Sequence, residues 1–215
     1  MKAIVDHYPK LGPLIYLLSI QYFLIQIYVA LQWSPSYSLS SNTISDLGNT
    51  VCGAYGGRFV CSPAHSLMNG SFILLGITMI CGSLLMNRLL GKKQMTTLGF
   101  GAMATAGMGT ILVGLFPENS IAALHILGAA LPFLLGNVAM VLLGFSLSVP
   151  KWLRLYSVLS GGVALVALGC FVSAHYLGLG EGGLERIVAY PQTVWLIVLG
   201  TYALITHHDT ARGLK

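Results

Sequence analysis

The chain has 215 residues, of which 55% are hydrophobic and only 8% charged. Because a soluble domain carries about 25% charged residues, this composition excludes a soluble globular protein and leaves no room for a separate soluble domain. The net charge of +5 would suit nucleic acid, but the basic residues flank apolar segments, so we predict membrane lipids and not nucleic acid as the partner.

Six apolar segments follow one another along the chain. A membrane-spanning helix needs about 20 residues, and the first segment is too long for the core of a signal peptide. We therefore predict an all-α, polytopic membrane protein whose single domain, residues 1–215, is a six-helix bundle. The predicted helices cover residues 11–33, 65–86, 95–116, 121–147, 155–177 and 191–205.

The basic residues predict the orientation in the membrane. Only Arg58 and Arg186 fall on one side; the other nine basic residues fall on the opposite side (Lys2, Lys10, Arg88, Lys92, Lys93, Lys151, Arg154, Arg212 and Lys215). Cytoplasmic loops collect lysine and arginine. We therefore predict an integral protein of the plasma membrane with both termini in the cytoplasm.

The longest connection, residues 34–64, is then an outer loop. It contains Cys52 and Cys61. Since disulfides persist in oxidising compartments, we predict a Cys52–Cys61 disulfide. Two free thiols, or two ligands of a soft metal, are the alternatives.

Acid and imidazole side chains gather at the predicted outer ends of the helices. Polar groups at this depth are costly and mark a functional site. The candidate catalytic residues are Asp46, His65, Glu118, His125 and His175. The candidate substrate-binding residues are Ser45, Asn69, Glu185 and Arg186, and the arginine would suit a phosphate headgroup.

Three of these residues suggest a metal. His65, His125 and His175 come from three different predicted helices, and three histidines with one open position form a catalytic zinc arrangement. With Asp46 they would bind zinc or another divalent metal, which activates a water. No close-spaced ligand motif such as HExxH is present. A metal-free site for acid–base chemistry or headgroup binding, and a purely structural network, therefore stay open.

Several short segments resemble a known family. Asn42-Thr-Ile-Ser-Asp-Leu-Gly48, Gly114-Leu-Phe-Pro-Glu118, Leu124-His125 and Leu184-Glu-Arg-Ile187 look like domain-of-unknown-function family 998, small prokaryotic six-helix membrane proteins. That resemblance implies the fold and no activity.

Two weaker likenesses concern the site. Ile44-Ser-Asp-Leu-Gly48 is similar to the turn after helix one of the Frag1/DRAM/Sfk1 proteins, which implies lipid or anchor remodelling. The residue types Ser45, Asp46, His65, His125 and His175 resemble the serine, aspartate and three-histidine zinc set of ceramidase-type membrane hydrolases. Those enzymes draw two histidines from one helix, unlike this chain.

We therefore expect a membrane-embedded hydrolase or transferase acting on a lipid or lipid-linked substrate at an outward-facing site. The alternatives are a transporter or binding protein, and an assembly subunit of a membrane complex. A transporter would require polar residues at the membrane midplane, where Gln26, Thr105 and Asn137 are the few candidates. The sequence predicts no oligomeric state.

Overall fold

The computed structural model describes residues 8–91 and 93–212, with side chains up to residue 206. Six helices in this part of the chain are long and apolar enough to cross a membrane, as the sequence predicts, so the protein is a multi-pass membrane protein. They are α1 (Leu11–Leu31), α2 (His65–Leu90), α3 (Gln94–Leu115), α4 (Ala122–Ser146), α5 (Lys151–Val172) and α6 (Gly180–Arg212).

The observed bounds differ from the predicted ones mainly in the last two helices. Helix α5 already begins at Lys151 and ends at Val172, so His175 lies beyond it. Helix α6 begins at Gly180 and continues through Pro191. The hydropathy pattern did not predict its first turns because Glu185 and Arg186 there are polar but buried against the connection between α1 and α2.

Glycines set the distance between neighbouring helices. A Cβ at Gly76 of α2 would lie 2.4 Å from the carbonyl oxygen of Gly107 in α3, and the reverse distance is 2.7 Å. Small residues let membrane helices approach closely. The α2–α3 pair therefore packs backbone against backbone.

Helix α4 is irregular in its middle. Residues Pro132–Gly136 form a π-helical turn between Ala122–Leu131 and Asn137–Ser146. A proline cannot donate the usual helical hydrogen bond, and π turns in helices occur frequently at functional sites. Pro132 and Phe133 both line cavities below the loop segment described next.

The segment between α1 and α2 is folded. It contains a 3-10 helix, Ser45–Gly48, followed by antiparallel strands β1 (Cys52–Tyr55) and β2 (Arg58–Cys61). Gly56 and Gly57 have φ of 55° and 78°, the left-handed values that a two-residue hairpin turn needs. The predicted disulfide is confirmed: Cys52 and Cys61 are directly paired in the hairpin and bonded to each other.

Large apolar side chains cover the outside of the helices. Leu31, Val166 and Val172 are 76%, 71% and 78% exposed. In a multi-pass protein these side chains face lipid, which is consistent with the scarcity of charges along the spans.

Candidate functional site

Three connections meet at one end of the bundle, which we call the loop end: residues 32–64, 116–121 and 173–179. The Tyr55 hydroxyl donates a hydrogen bond of 2.7 Å to the carbonyl oxygen of Glu118. The Gly182 amide donates one of 2.9 Å to the carbonyl oxygen of Ser40. The first connection is therefore tied to the second and to the start of α6.

Asp46 organises the loop end. Its Oδ2 atom accepts hydrogen bonds from Asn42 Nδ2 and the Thr43 amide, both at 3.0 Å, and from Arg58 Nε at 2.7 Å. Its Oδ1 atom accepts from Arg58 Nη2 at 2.8 Å. Burial opposes ionisation, but the hydrogen bonds from Arg58 and other neighbours hold the pKa of Asp46 below its ordinary value. The carboxylate positions the 3-10 helix and the hairpin.

Glu118 is a second acid beside this carboxylate. Burial first, and then the hydrogen bond and charge of Asp46, raise the pKa of Glu118 to about 8. Asn49 donates a hydrogen bond of 2.7 Å to its Oε1 atom and acts in the opposite direction. Glu118 is therefore largely protonated at neutral pH and can donate a proton.

Ser45 and His125 form a hydrogen-bonded pair between the 3-10 helix and α4. Ser45 Oγ lies 3.0 Å from His125 Nε2, and His125 Nδ1 lies 2.8 Å from the carbonyl oxygen of Phe116. A carbonyl oxygen only accepts, so Nδ1 carries the ring proton. Nε2 therefore accepts the Ser45 hydroxyl proton.

Glu185 of α6 completes this side of the site. Its Oε2 atom accepts a short hydrogen bond from the Ile44 amide, and its Oε1 atom lies 3.5 Å from Ser45 Oγ. Glu185 as a whole residue is only 4% exposed. The Glu185 carboxyl group holds the start of the 3-10 helix against α6 and so fixes the position of Ser45.

A cleft of about 260 Å³ opens in front of the pair. Part of its lining is polar and carries both members of the pair and four further acidic or basic side chains, whereas the apolar part comes from α4 and α5. The polar residues are Thr43, Ser45, Arg58, Glu118, His125, Glu181 and Glu185; the apolar ones include Ile126, Phe133, Leu168 and Val172. The cleft is amphipathic, as a lipid is.

The other two predicted histidines do not line this cleft. His65, the first residue of α2, places Nδ1 3.2 Å from the carbonyl oxygen of Ser62. His175 is exposed after α5, with Nδ1 2.9 Å from the Ser173 carbonyl oxygen. Among the side chains that the structure describes, in residues 8–91 and 93–206, no group of three or more His, Cys, Asp or Glu could hold a metal. The predicted four-ligand set is therefore not assembled, because its histidines start from helix ends that face different neighbours. Zinc or another divalent metal as a cofactor stays a prediction.

Two predicted substrate-binding residues, Asn69 and Arg186, do not line the Ser45 cleft. Asn69 Nδ2 donates a hydrogen bond of 2.9 Å to the carbonyl oxygen of Gly48 and pins the loop to α2. Arg186 lines a different cavity from the Ser45 cleft. Ser45 and Glu185, in contrast, both lie at the cleft.

Arg58 is a site residue that was not predicted from the sequence. Its guanidinium bridges Asp46 and Glu181, with Nη1 2.9 Å from Glu181 Oε2. The sequence contained one indication of its role. Arg58 is one of the two basic residues on the predicted outer side, whereas basic residues that only set the membrane orientation collect on the cytoplasmic side. Its partners, twelve and 123 positions away, could be known only from the fold.

Comparisons with known proteins place the chain in a family. Neither the curated proteins nor the solved structures contain a match to it. One family model, described as Protein of unknown function (DUF998), matches residues 17–202, which include four complete helices, most of α1 and α6, and the whole loop end. The chain belongs to this DUF998 family.

Proposed function

We propose that this protein is a membrane-embedded hydrolase or transferase that acts on an ester of a lipid or a lipid-linked substrate, with Ser45 as nucleophile and His125 as general base. The observation that carries the proposal is the 3.0 Å contact between Ser45 Oγ and His125 Nε2 in an amphipathic cleft. A nucleophile within hydrogen-bond reach of a base, with the base oriented by a third group, is the signature of covalent catalysis.

The third group here is a backbone carbonyl. In serine hydrolases an aspartate usually holds the histidine in the tautomer whose Nε2 accepts. The Phe116 carbonyl oxygen supplies the same constraint at 2.8 Å from Nδ1. It carries no full charge, so it stabilises the imidazolium less than a carboxylate would.

Besides the ester, the proposed reaction needs only water or an acceptor alcohol or amine. Ser45 Oγ attacks the ester carbonyl carbon while His125 Nε2 takes the hydroxyl proton. The carbon–oxygen bond to the leaving alcohol then breaks, and His125 returns the proton to that oxygen. Water in a hydrolase, or an acceptor alcohol or amine in a transferase, attacks the acyl-Ser45 ester and restores the serine.

The cleft suits a substrate that arrives from the membrane. Phe133 of α4 and Leu168 and Val172 of α5 line its apolar wall, and Val172 is also among the most exposed apolar residues. Acyl chains could enter between α4 and α5 while the polar part meets Arg58 and Glu118. The charge distribution supports a loop end on the outer face of the plasma membrane, with both termini in the cytoplasm.

A fluorophosphonate probe tests the nucleophile. The wild-type protein, purified in detergent, should be labelled on Ser45, and the modified peptide should be identified by mass spectrometry. Ser45→Ala should abolish labelling, and His125→Gln should slow it by about 10²–10⁴-fold, the usual contribution of a general base. Ser120→Ala is the matched control, since Ser120 is an exposed serine at the same end of the bundle.

A product assay extends the test. Wild type and Ser45→Ala are incubated with vesicles of a total phospholipid and glycolipid extract, and released fatty acids or exchanged acyl chains are measured by mass spectrometry. Equal labelling and equal turnover in both proteins would refute the assignment. Activity that is lost with a chelator and restored by zinc would instead support the predicted metal.

A further inference from the structure

A second cavity lies on the other side of α6, between α1 and the start of the loop. Its volume is about 360 Å³. It shares no lining residue with the Ser45 cleft. We call it the α1–α6 groove; it is lined by Gln26, Ile27, Ala30, Leu31, Trp33, Ser36, Tyr37, Leu39, Leu47, Arg186 and Tyr190.

Three nitrogen donors on the residues of this groove have no hydrogen-bond partner within the described part of the chain. They are Gln26 Nε2, Trp33 Nε1 and Arg186 Nε. The three residues are only 5%, 8% and 8% exposed. Because buried donors in native proteins are nearly always paired with protein or ordered water, three unpaired donors around one cavity are consistent with a ligand that accepts hydrogen bonds.

The groove is also positively charged. The Arg186 Nη1 atom donates to the carbonyl oxygens of Leu39, Asn42 and Gly182 at 3.0, 2.9 and 2.7 Å, and Nη2 donates to the Tyr37 hydroxyl. All four acceptors are uncharged. The ion pairs within the described residues both belong to Arg58, so the guanidinium charge of Arg186 has no carboxylate in contact.

The neighbouring acid does not fill this role. Glu185 directs its carboxyl oxygens at the Ile44 amide and Ser45, on the cleft side of α6. The Tyr37 ring lies against the other side of Arg186, with the guanidinium carbon 5.4 Å from the ring centre. These contacts fix the guanidinium, and its Nε atom is left without a partner among the described residues.

The rim of the groove faces lipid. Ile27, Leu31 and Leu39 are 60%, 76% and 64% exposed and line its edge. Ile27 and Leu31 belong to the membrane-spanning part of α1. A ligand that fits both parts of the groove has an anionic head and a hydrocarbon tail.

We infer that the α1–α6 groove is a binding site for the phosphate group of a membrane phospholipid. Phosphate oxygens accept from Arg186 Nε, Trp33 Nε1 and Gln26 Nε2, and they neutralise the arginine. Arginine is the side chain best suited to phosphate recognition. The acyl chains lie over Ile27 and Leu31. This site is distinct from the Ser45 cleft and does not depend on the proposed reaction.

The test measures lipid retention by native mass spectrometry. Purified protein in detergent is titrated with phosphatidic acid, with phosphatidylglycerol, with uncharged diacylglycerol and with inorganic phosphate. Gln26→Glu replaces the Nε2 donor by an oxygen while keeping the Oε1 atom that accepts from Tyr190 at 2.9 Å. Trp33→Phe removes the Nε1–H group and keeps an aromatic ring. Trp152→Phe is the control, because Trp152 is 56% exposed on α5.

Wild type should bind the two phospholipids more tightly than diacylglycerol. Each groove variant should weaken that binding by about tenfold or more, the level expected for a lost hydrogen bond to a charged group, and Trp152→Phe should not. Both groove variants should keep the Cys52–Cys61 disulfide, which reports on a folded loop end. Equal binding of diacylglycerol and phospholipid, or no effect of either variant, overturns the inference. Binding of inorganic phosphate as tight as that of phosphatidic acid overturns the lipid assignment and leaves an ion site.

Discussion

Two nitrogens of the Arg58 guanidinium contact the two carboxylate oxygens of Asp46, at 2.7 and 2.8 Å. The Asp46 side chain is 0% exposed and that of Arg58 is 16% exposed. Removing the cationic partner of a buried carboxylate is strongly destabilising. The hairpin and the 3-10 helix meet through this pair, so it controls the order of the whole loop end.

Arg58→Ala should therefore lower the free energy of unfolding by about 3–5 kcal/mol, the usual effect of removing one partner of a buried pair. The free energy of unfolding of Arg58→Lys should lie between those of Arg58→Ala and wild type, because lysine keeps the charge but cannot contact both carboxylate oxygens. The melting temperature in detergent measures both effects. Lys151→Ala, at an exposed position on α5, should leave it unchanged. A wild-type melting temperature for Arg58→Ala would contradict this role.

Glu118 should make stability depend on pH. Its pKa is about 8 in the folded protein against an ordinary value of 4.5, so folding takes up a proton between these values. The free energy of unfolding should therefore fall as pH rises through this window. Asp46, whose pKa is lowered, acts in the opposite direction, and its contribution is lost only at more acidic pH.

Glu118→Gln should remove this dependence, because glutamine stays neutral and still accepts the Asn49 hydrogen bond. Melting temperatures of wild type and variant are compared at pH 5, 6, 7 and 8. The melting temperature of Glu118→Gln, relative to that of wild type, should rise steadily as pH rises. Parallel curves would show that Glu118 is ionised throughout or titrates equally in the unfolded chain.

The disulfide should contribute measurable stability. Cys52 and Cys61 are separated by nine positions, and closing a loop of this length stabilises a protein by about 2–3 kcal/mol. The double variant Cys52→Ser/Cys61→Ser should melt earlier than wild type, whereas Cys81→Ser should not. Thiol titration of the unfolded, unreduced protein should find Cys81 and Cys170 free. Titration of all the cysteines as thiols would contradict the pairing.

Two classes of glycine should respond in opposite ways to alanine. Gly76→Ala places a Cβ 2.4 Å from the Gly107 carbonyl oxygen, so α2 and α3 must separate and the melting temperature should fall. Gly101→Ala meets nothing within 4 Å, and an open helical glycine replaced by alanine gains about 0.5–1 kcal/mol. A thermal shift assay compares the two single variants. Equal shifts would mean that the α2–α3 contact does not limit stability.

The sequence alone determined the part of this fold that depends on local hydropathy. Long apolar segments must close their backbone hydrogen bonds internally, so six helices followed from composition and spacing. The Cys52–Cys61 pair followed from two cysteines in one polar loop. Polar groups are costly near a membrane, and on this ground the sequence predicted one cluster that includes Asp46, Glu118 and His125. Glu118 and His125 do line the cleft, and Asp46 contacts Arg58, which also lines it.

Only the tertiary structure decided which of these groups touch. Ser45 and His125 are 80 positions apart, and no local pattern specifies their contact. Glu185 and Arg186 are neighbours in sequence, but consecutive residues point about 100° apart around a helix, so one lines the Ser45 cleft and the other the α1–α6 groove. His65 and His175 have the right chemistry at the right end of the bundle. Helix ends at the same depth can face different neighbours, because depth is set by hydropathy and direction by the packing of the helices.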